Sequence, residues 1–156
     1  MNKIVRFIAT GFYSGLVPFA PGTAGTLAAL PLVFLFRFFG PTAYLFLTFL
    51  FVVVAIVVAE IYEVAKGSHD SREIVIDEFA GFLITMALVP LTVWSLLLGF
   101  LLFRTFDIFK PFPIRYLDKN VSGGYGVVID DVVAGMFANI ILQILMTKIP
   151  FFAEAF

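Results

Sequence analysis

Five stretches of this chain are apolar for about as long as a helix needs to cross a bilayer, and that spacing constrains the fold more than any other feature. A hydrocarbon core about 30 Å thick takes about 20 helical residues, with a range of about 17 to 25. The stretches are residues 23–39, 42–59, 74–89, 91–109 and 125–147. Helix breakers fall between them: Pro18, Pro21 and Gly22 before the first, Gly40-Pro41 after it, residues 67–72 after the second, Pro90 after the third, and residues 111–124 after the fourth. Two stretches are marginal. Residues 74–89 are short and contain Asp77 and Glu78, and residues 23–39 contain Pro31, so either can be a dipping half-span. Residues 4–19 are apolar but broken by Gly11, Gly15 and Pro18, which predicts a short interfacial or re-entrant helix. The expectation is an all-α integral membrane bundle of about five spans with a short interfacial N-terminal helix, forming a single domain over residues 1–156.

Composition agrees with that reading. Hydrophobic residues make up 62% and charged residues 13%, against roughly 45–50% and about 25% in soluble domains. A chain of 156 residues leaves no room for a separate soluble domain beside the spans. Arg6 interrupts the first apolar stretch and no small-x-small cleavage site leads into a polar mature chain, so no removable signal peptide is expected. A net charge of −1 gives no electrostatic reason to bind nucleic acid. The absence of cysteine excludes a disulfide, a thiolate metal site and a cysteine nucleophile. Oligomeric state leaves no signature in the sequence.

Position matters more than total charge. If the five spans alternate, one side collects Lys3, Arg6, Lys66, Arg72, Arg104, Lys110, Arg115 and Lys119, eight of the ten cations. The positive-inside rule makes that side cytoplasmic. Ten of the eleven acids lie there too, with only Glu154 opposite, and the rule does not govern acids. Their concentration therefore implies a polar site on that face.

Asp77, Glu78, Asp107, Asp130 and Asp131 are the candidate catalytic and metal-binding residues, because each lies about one turn inside the end of an apolar stretch. A carboxylate at the centre of a span costs about 2.5–3.5 kcal/mol and less near the interface, so five of them are expected to face inward and share cations. With one histidine and no cysteine, the hard oxygen ligands point to magnesium, or manganese in its place. Asp77, Gly81 and Thr85 recur at i, i+4 and i+8, as do Asp131, Gly135 and Asn139, so each acid heads a small or polar stripe suited to close helix packing. Neighbouring acids diverge by about 100° around the axis, so one of each pair points into the site and the other bridges or supports it.

The candidate substrate-binding residues are Thr23, His69, Arg104, Lys110 and Arg115. Arg104, Asp107 and Lys110 are i, i+3 neighbours, which reads as anion neutralisation or as plain ion pairing along a helix. Lys110 and Arg115 also suit orientation of the chain against anionic lipid heads. Pro21-Gly22-Thr23-Ala24-Gly25-Thr26 opens a helix with free N–H groups, an anion site in form, though Thr23 serves equally as a cap. Gly123-Gly124-Tyr125-Gly126 is either a phosphate-approaching backbone or a tight turn. His69-Asp70 is a ligand-orienting pair or a surface loop.

In order, the blocks Gly15-Leu-Val-Pro18-Phe-Ala-Pro21-Gly22-Thr23-Ala-Gly25-Thr26, His69-Asp70 with Ile74-Val-Ile-Asp77-Glu78-Phe-Ala-Gly81, Phe103-Arg104-Thr-Phe-Asp107-Ile-Phe-Lys110-Pro111-Phe-Pro113-Ile-Arg115, and Gly123-Gly124-Tyr-Gly126 with Asp130-Asp131 closely resemble the phosphatidylglycerophosphatase A family. The match runs from about residue 11 to 139. Tyr13 stands where the family often has glycine and Thr26 where it often has serine, and neither change removes a charge or a hydroxyl. The resemblance implies a magnesium-dependent phosphatase of the bacterial inner membrane that converts phosphatidylglycerophosphate to phosphatidylglycerol and phosphate. A lipid phosphomonoester lies at headgroup level, the depth assigned to the carboxylates.

On this reading Asp77 or Glu78, Asp107, and Asp130 or Asp131 hold one or two ions, and Arg104, Lys110 and Arg115 neutralise the phosphate. Water activated at the ion attacks phosphorus, with a carboxylate or His69 taking its proton. A covalent aspartyl-phosphate is the other route. Histidine-nucleophile lipid phosphatases need two histidines and this chain has one, and the Asp-x-Asp signature is missing. The rival class is a small ion or proton transporter using intramembrane carboxylates, but the outer halves of all five stretches carry no ionisable residue except Arg37 near the end of the first.

Overall fold

The structure, a computed structural model, describes residues 2–67 and 71–149, and every regular element within them is helical. Asn2 caps α1 (Lys3–Ala9), its side chain accepting from the Ile4 N–H at 2.9 Å. The left-handed backbone of Gly11, Phe12 and Tyr13 then leads into a single 3-10 turn, Ser14–Leu16. Residues 4–19 thus yield a seven-residue helix and a turn, far short of a span. Ala9 is buried, and its carbonyl accepts from the Val75 N–H at 3.0 Å, which fixes this segment against the polar end of the bundle.

The first long stretch forms α2 (Pro21–Ala28) and α3 (Leu30–Phe38), divided at Ala29. Pro31 accounts for the division, since it has no N–H and its ring conflicts with the carbonyl four residues back. α4 (Pro41–Lys66) and α8 (Gly123–Lys148) are unbroken helices of 26 residues each. These two and the Pro21–Phe38 stretch are long and apolar enough to cross a membrane. α6 (Val93–Phe109) has 17 residues and carries Arg104 and Asp107 in its last turns. α7 (Ile114–Asn120) is a short helix between α6 and α8.

α5 (Ile76–Thr85) falls short of a full crossing, the half-length alternative that the marginal stretch 74–89 leaves open. The helix stops after ten residues, about 15 Å and half the hydrocarbon thickness. Leu88 is left-handed (φ 58°) and Pro90 has no N–H to continue a helix. Carbonyls released inside the bundle need partners within the protein. Asn139 of α8 supplies them, its Nδ2 donating to Thr85 O at 2.9 Å and Ala87 O at 2.8 Å. Gln143 Nε2 donates to Asn139 Oδ1 at 2.8 Å and fixes the amide's orientation. Tyr44 donates its hydroxyl to Leu83 O at 2.7 Å. A reciprocal Thr92–Ser95 capping box, buried, opens α6. Asn139→Leu would strand two carbonyls at about 1–3 kcal/mol each. A marked fall in the detergent unfolding temperature is expected, with activity lost only in proportion to the unfolded fraction.

α5 lies at the centre of the bundle, packed against α2, α4, α6 and α8. Phe79, Ala80, Phe82 and Leu83 are buried within it. Its seam with α8 follows the two stripes. A Cβ added at Gly135 would strike Gly81 O, and one added at Gly81 would strike Asp131 O and the Phe103 ring. One rung deeper lies the hydrogen bond from Asn139 to Thr85 O. Only residues without side-chain bulk allow backbones this close. The outer faces are apolar, with Phe46 and Phe49 of α4 largely exposed, as suits a surface solvated by lipid tails.

Candidate active site

Because α5 and α8 run side by side in the same direction, Asp77 and Glu78 in the first turn of α5 meet Asp131, which lies about two turns into α8. Carboxylate oxygens of Asp77, Glu78 and Asp131 lie within 4.8 Å of one another. Asp130 follows on α8, and Asp107 enters from the last turn of α6. All five sequence-selected acids line one cavity of about 250 Å³.

Two cations are drawn into this cluster. Arg104 Nη1 lies 2.5 Å from Asp107 Oδ2 and 3.7 Å from Glu78 Oε1, with all three side chains mostly buried. The i, i+3 pair expected on α6 therefore exists but also reaches α5. Lys110 caps α6 in a left-handed conformation (φ 43°), and its Nζ lies 2.5 Å from Asp118 Oδ1 of α7 and 2.6 Å from Asp130 Oδ2 of α8. Burial opposes its charge, but the Asp118 and Asp130 carboxylates outweigh that and hold the ammonium above the ordinary lysine range.

Negative charge still exceeds positive. Glu78 Oε2, Asp130 Oδ1 and Asp131 Oδ2 are buried without a hydrogen-bond partner among the described residues. Stranded carboxylate oxygens are costly unless a cation completes them. The donor set is entirely oxygen, converges from two helices and abuts a cavity, which fits a hard divalent cation such as magnesium.

The remaining sequence candidates separate. The helix expected after Pro21 packs directly behind the cluster, since a Cβ at Gly22 would meet Glu78 Oε1 and both terminal nitrogens of Arg104. Thr23 is half-buried in that first turn but does not line the cavity. Arg115 lies outside the cavity, in a second cleft of about 460 Å³ between the end of α6 and α7. His69 falls outside the described residues. The glycines opening α8 serve close packing: Gly124 donates its N–H to Glu60 Oε2 at 2.5 Å, and a Cβ there would strike Ile56 O.

Sequence reasoning missed Asp118, Glu60 and the role of Gly22. Asp118 lines the cavity from a helix eight residues beyond Lys110, across a proline corner where periodicity gives no guidance. Glu60 reads as a loop charge, yet it caps α8 from 64 residues away.

A family model described as Phosphatidylglycerophosphatase A matches residues 7–146. Phosphatidylglycerophosphatase A of Escherichia coli strain K12 is 40% identical over 143 residues, covering 91% of this chain and 83% of that protein. The protein of the same name from Haemophilus influenzae is 41% identical over 140 residues, covering 88% of this chain and 86% of its own length. A Bacteroides thetaiotaomicron protein, provisionally named a phosphatidylinositol-3-phosphatase, is 41% identical over 148 residues, covering 88% and 90% respectively. No solved structure matches the chain.

Proposed function

The chain belongs to the phosphatidylglycerophosphatase A family, and on that premise we propose that it is a magnesium-dependent lipid phosphatase hydrolysing phosphatidylglycerophosphate to phosphatidylglycerol and inorganic phosphate. The observation that carries the reading is the acidic cavity itself, in which five carboxylates from three helices converge and three of their buried oxygens have no donor. The two substrate names among the relatives share one chemistry: a terminal phosphomonoester on a headgroup joined to the lipid through a phosphodiester.

We place the site on the cytoplasmic face of a bacterial inner membrane, with about five membrane-crossing or membrane-dipping segments. The cation asymmetry of the sequence and the bacterial source of the relatives support this.

Asp77, Glu78 and Asp131 are the residues that would hold the ion, with Asp107 and Asp130 completing the set. Magnesium bound there would supply Lewis-acid stabilisation of the phosphoryl oxygens and a lowered pKa for water. Arg104 does not line the cavity itself but is held by Asp107 and Glu78, which do, so its charge would act on a bound phosphate from behind these carboxylates. Asp130 uses one oxygen to fix Lys110, which holds its other oxygen toward the cavity, and a carboxylate of this set not bound to the ion would take the proton of the attacking water. Water would attack phosphorus and give its proton to the carboxylate base, the phosphorus–oxygen bond to the glycerol would break, and that proton returned to the glycerol oxygen would let it leave as the alcohol.

The transporter alternative gains no support. Deeper in the bundle, Thr85, Asn139 and Gln143 commit their hydrogen bonds to one another and to backbone rather than to a polar path.

Purified protein in neutral detergent should release phosphate from phosphatidylglycerophosphate, lose essentially all turnover in excess chelator, and recover it when magnesium is restored. Full activity in chelator would end the metal assignment; no release under any condition would end the substrate assignment.

A further inference from the structure

A second cleft lies directly beside the acidic cavity, and the two share Lys110 as a wall. Its other walls differ in kind. They include Arg115 and Lys119, one helical turn apart on α7, and the aromatic rings of Phe109, Phe112 and Tyr116. The cations nearer the acids are already committed, Arg104 to Asp107 and Glu78, and Lys110 to Asp118 and Asp130. Arg115 and Lys119 are exposed and make no ion pair among the described residues. The cleft is nonetheless held in place, because Ile114 is fully buried, α7 packs on α8, and the Asp118–Lys110 pair ties α7 to α6.

We propose that this cleft is the subsite for the lipid's phosphodiester, with Arg115 and Lys119 as its anion-binding groups; the assignment rests on the substrate class proposed above. A phosphomonoester can enter an acid-lined cavity only with a cation between them. The diester, one glycerol away, carries its own negative charge and lies beyond any ion held by Asp77, Glu78 and Asp131. It therefore needs protein cations, and the cleft offers two that are unspent. The exposed rings of Phe109, Phe112 and Tyr116 fit the same depth, since aromatic side chains favour the headgroup layer where a phosphodiester lies.

The test separates the two phosphates by inhibitors that each carry one kind of group. Phosphatidylglycerol has the diester alone, and inorganic phosphate represents the monoester alone. In neutral detergent micelles, the double variant Arg115→Gln with Lys119→Gln should raise KM for phosphatidylglycerophosphate and Ki for phosphatidylglycerol together by about tenfold or more. The Ki for inorganic phosphate should move less than about twofold, and Arg115→Lys alone should recover part of the loss. An equal rise in the phosphate Ki would show that the cations serve the reacting phosphate and overturn the proposal. No change in KM or in the phosphatidylglycerol Ki would overturn it too, as expected if α7 merely adheres to anionic bilayers. Failure of phosphatidylglycerol to inhibit the unmodified protein would have the same force. Failure of the substrate reading would appear earlier, as absence of turnover in the unmodified protein.

Discussion

Asp131→Asn is expected to lower kcat by at least about 100-fold while leaving the fold intact or slightly more stable. Asp131 is 3% exposed, its Oδ2 has no hydrogen-bond partner, and its neighbours include the carboxylates of Asp77 and Glu78. Without an ion these groups repel, so an isosteric amide removes one charge and adds a donor beside carboxylate oxygens that have no partner. Stability and activity should therefore move in opposite directions, which a residue kept only for structure would not do. Unfolding temperature in chelator, set beside turnover in magnesium, reads both quantities from one preparation. Retention of a tenth of normal turnover would remove Asp131 from the proposed ion site.

The second large effect concerns a glycine one turn deeper on α8 than Asp131. Gly135→Ala adds a methyl group whose nearest neighbour is the Gly81 carbonyl on α5, at a separation no real Cβ occupies. Backbone cannot rotate aside as a side chain does, so α5 and α8 must part, costing on the order of 1–3 kcal/mol. Asp131 is one turn from Gly135 on the same face, so parting the seam also shifts it away from Asp77 and Glu78. Lower unfolding temperature and a strong loss of turnover per folded molecule are expected together. Met136→Ala, one residue along on the exposed side of α8, is the control and should change neither by much. Normal turnover in Gly135→Ala would show that the seam does not set the site.

How much of this was legible beforehand depended on periodicity. The stripes Asp77-Gly81-Thr85 and Asp131-Gly135-Asn139 follow from helical spacing, and they are the faces in contact. The five acids were legible from their depth in apolar stretches, because few burial solutions exist for a carboxylate there. Contacts between distant segments were not. Glu60 meets Gly124, and Gly22 backs Glu78 and Arg104, through packing that no local pattern encodes. The sequence leaves the length of α5 open between a full and a half span for a related reason: residues 86–89 are apolar enough to continue a helix, and the donors that let it stop, the Tyr44 hydroxyl and the Asn139 amide, come from distant segments. The separation of Arg115 from the acidic cavity likewise depends on the turn at Pro111, which carries it into a neighbouring cleft that shares Lys110.

The half-length α5 also bears on how the chain is made. A ten-residue helix that begins with two acids and ends on carbonyls needing Asn139 is poorly suited to enter a bilayer alone. Its seam partner, α8, follows α6 and α7 in the chain and is synthesised after them. The carbonyls that end α5 gain their Asn139 donor only once α8 has been made, so the central helix is completed by one that follows it in the chain.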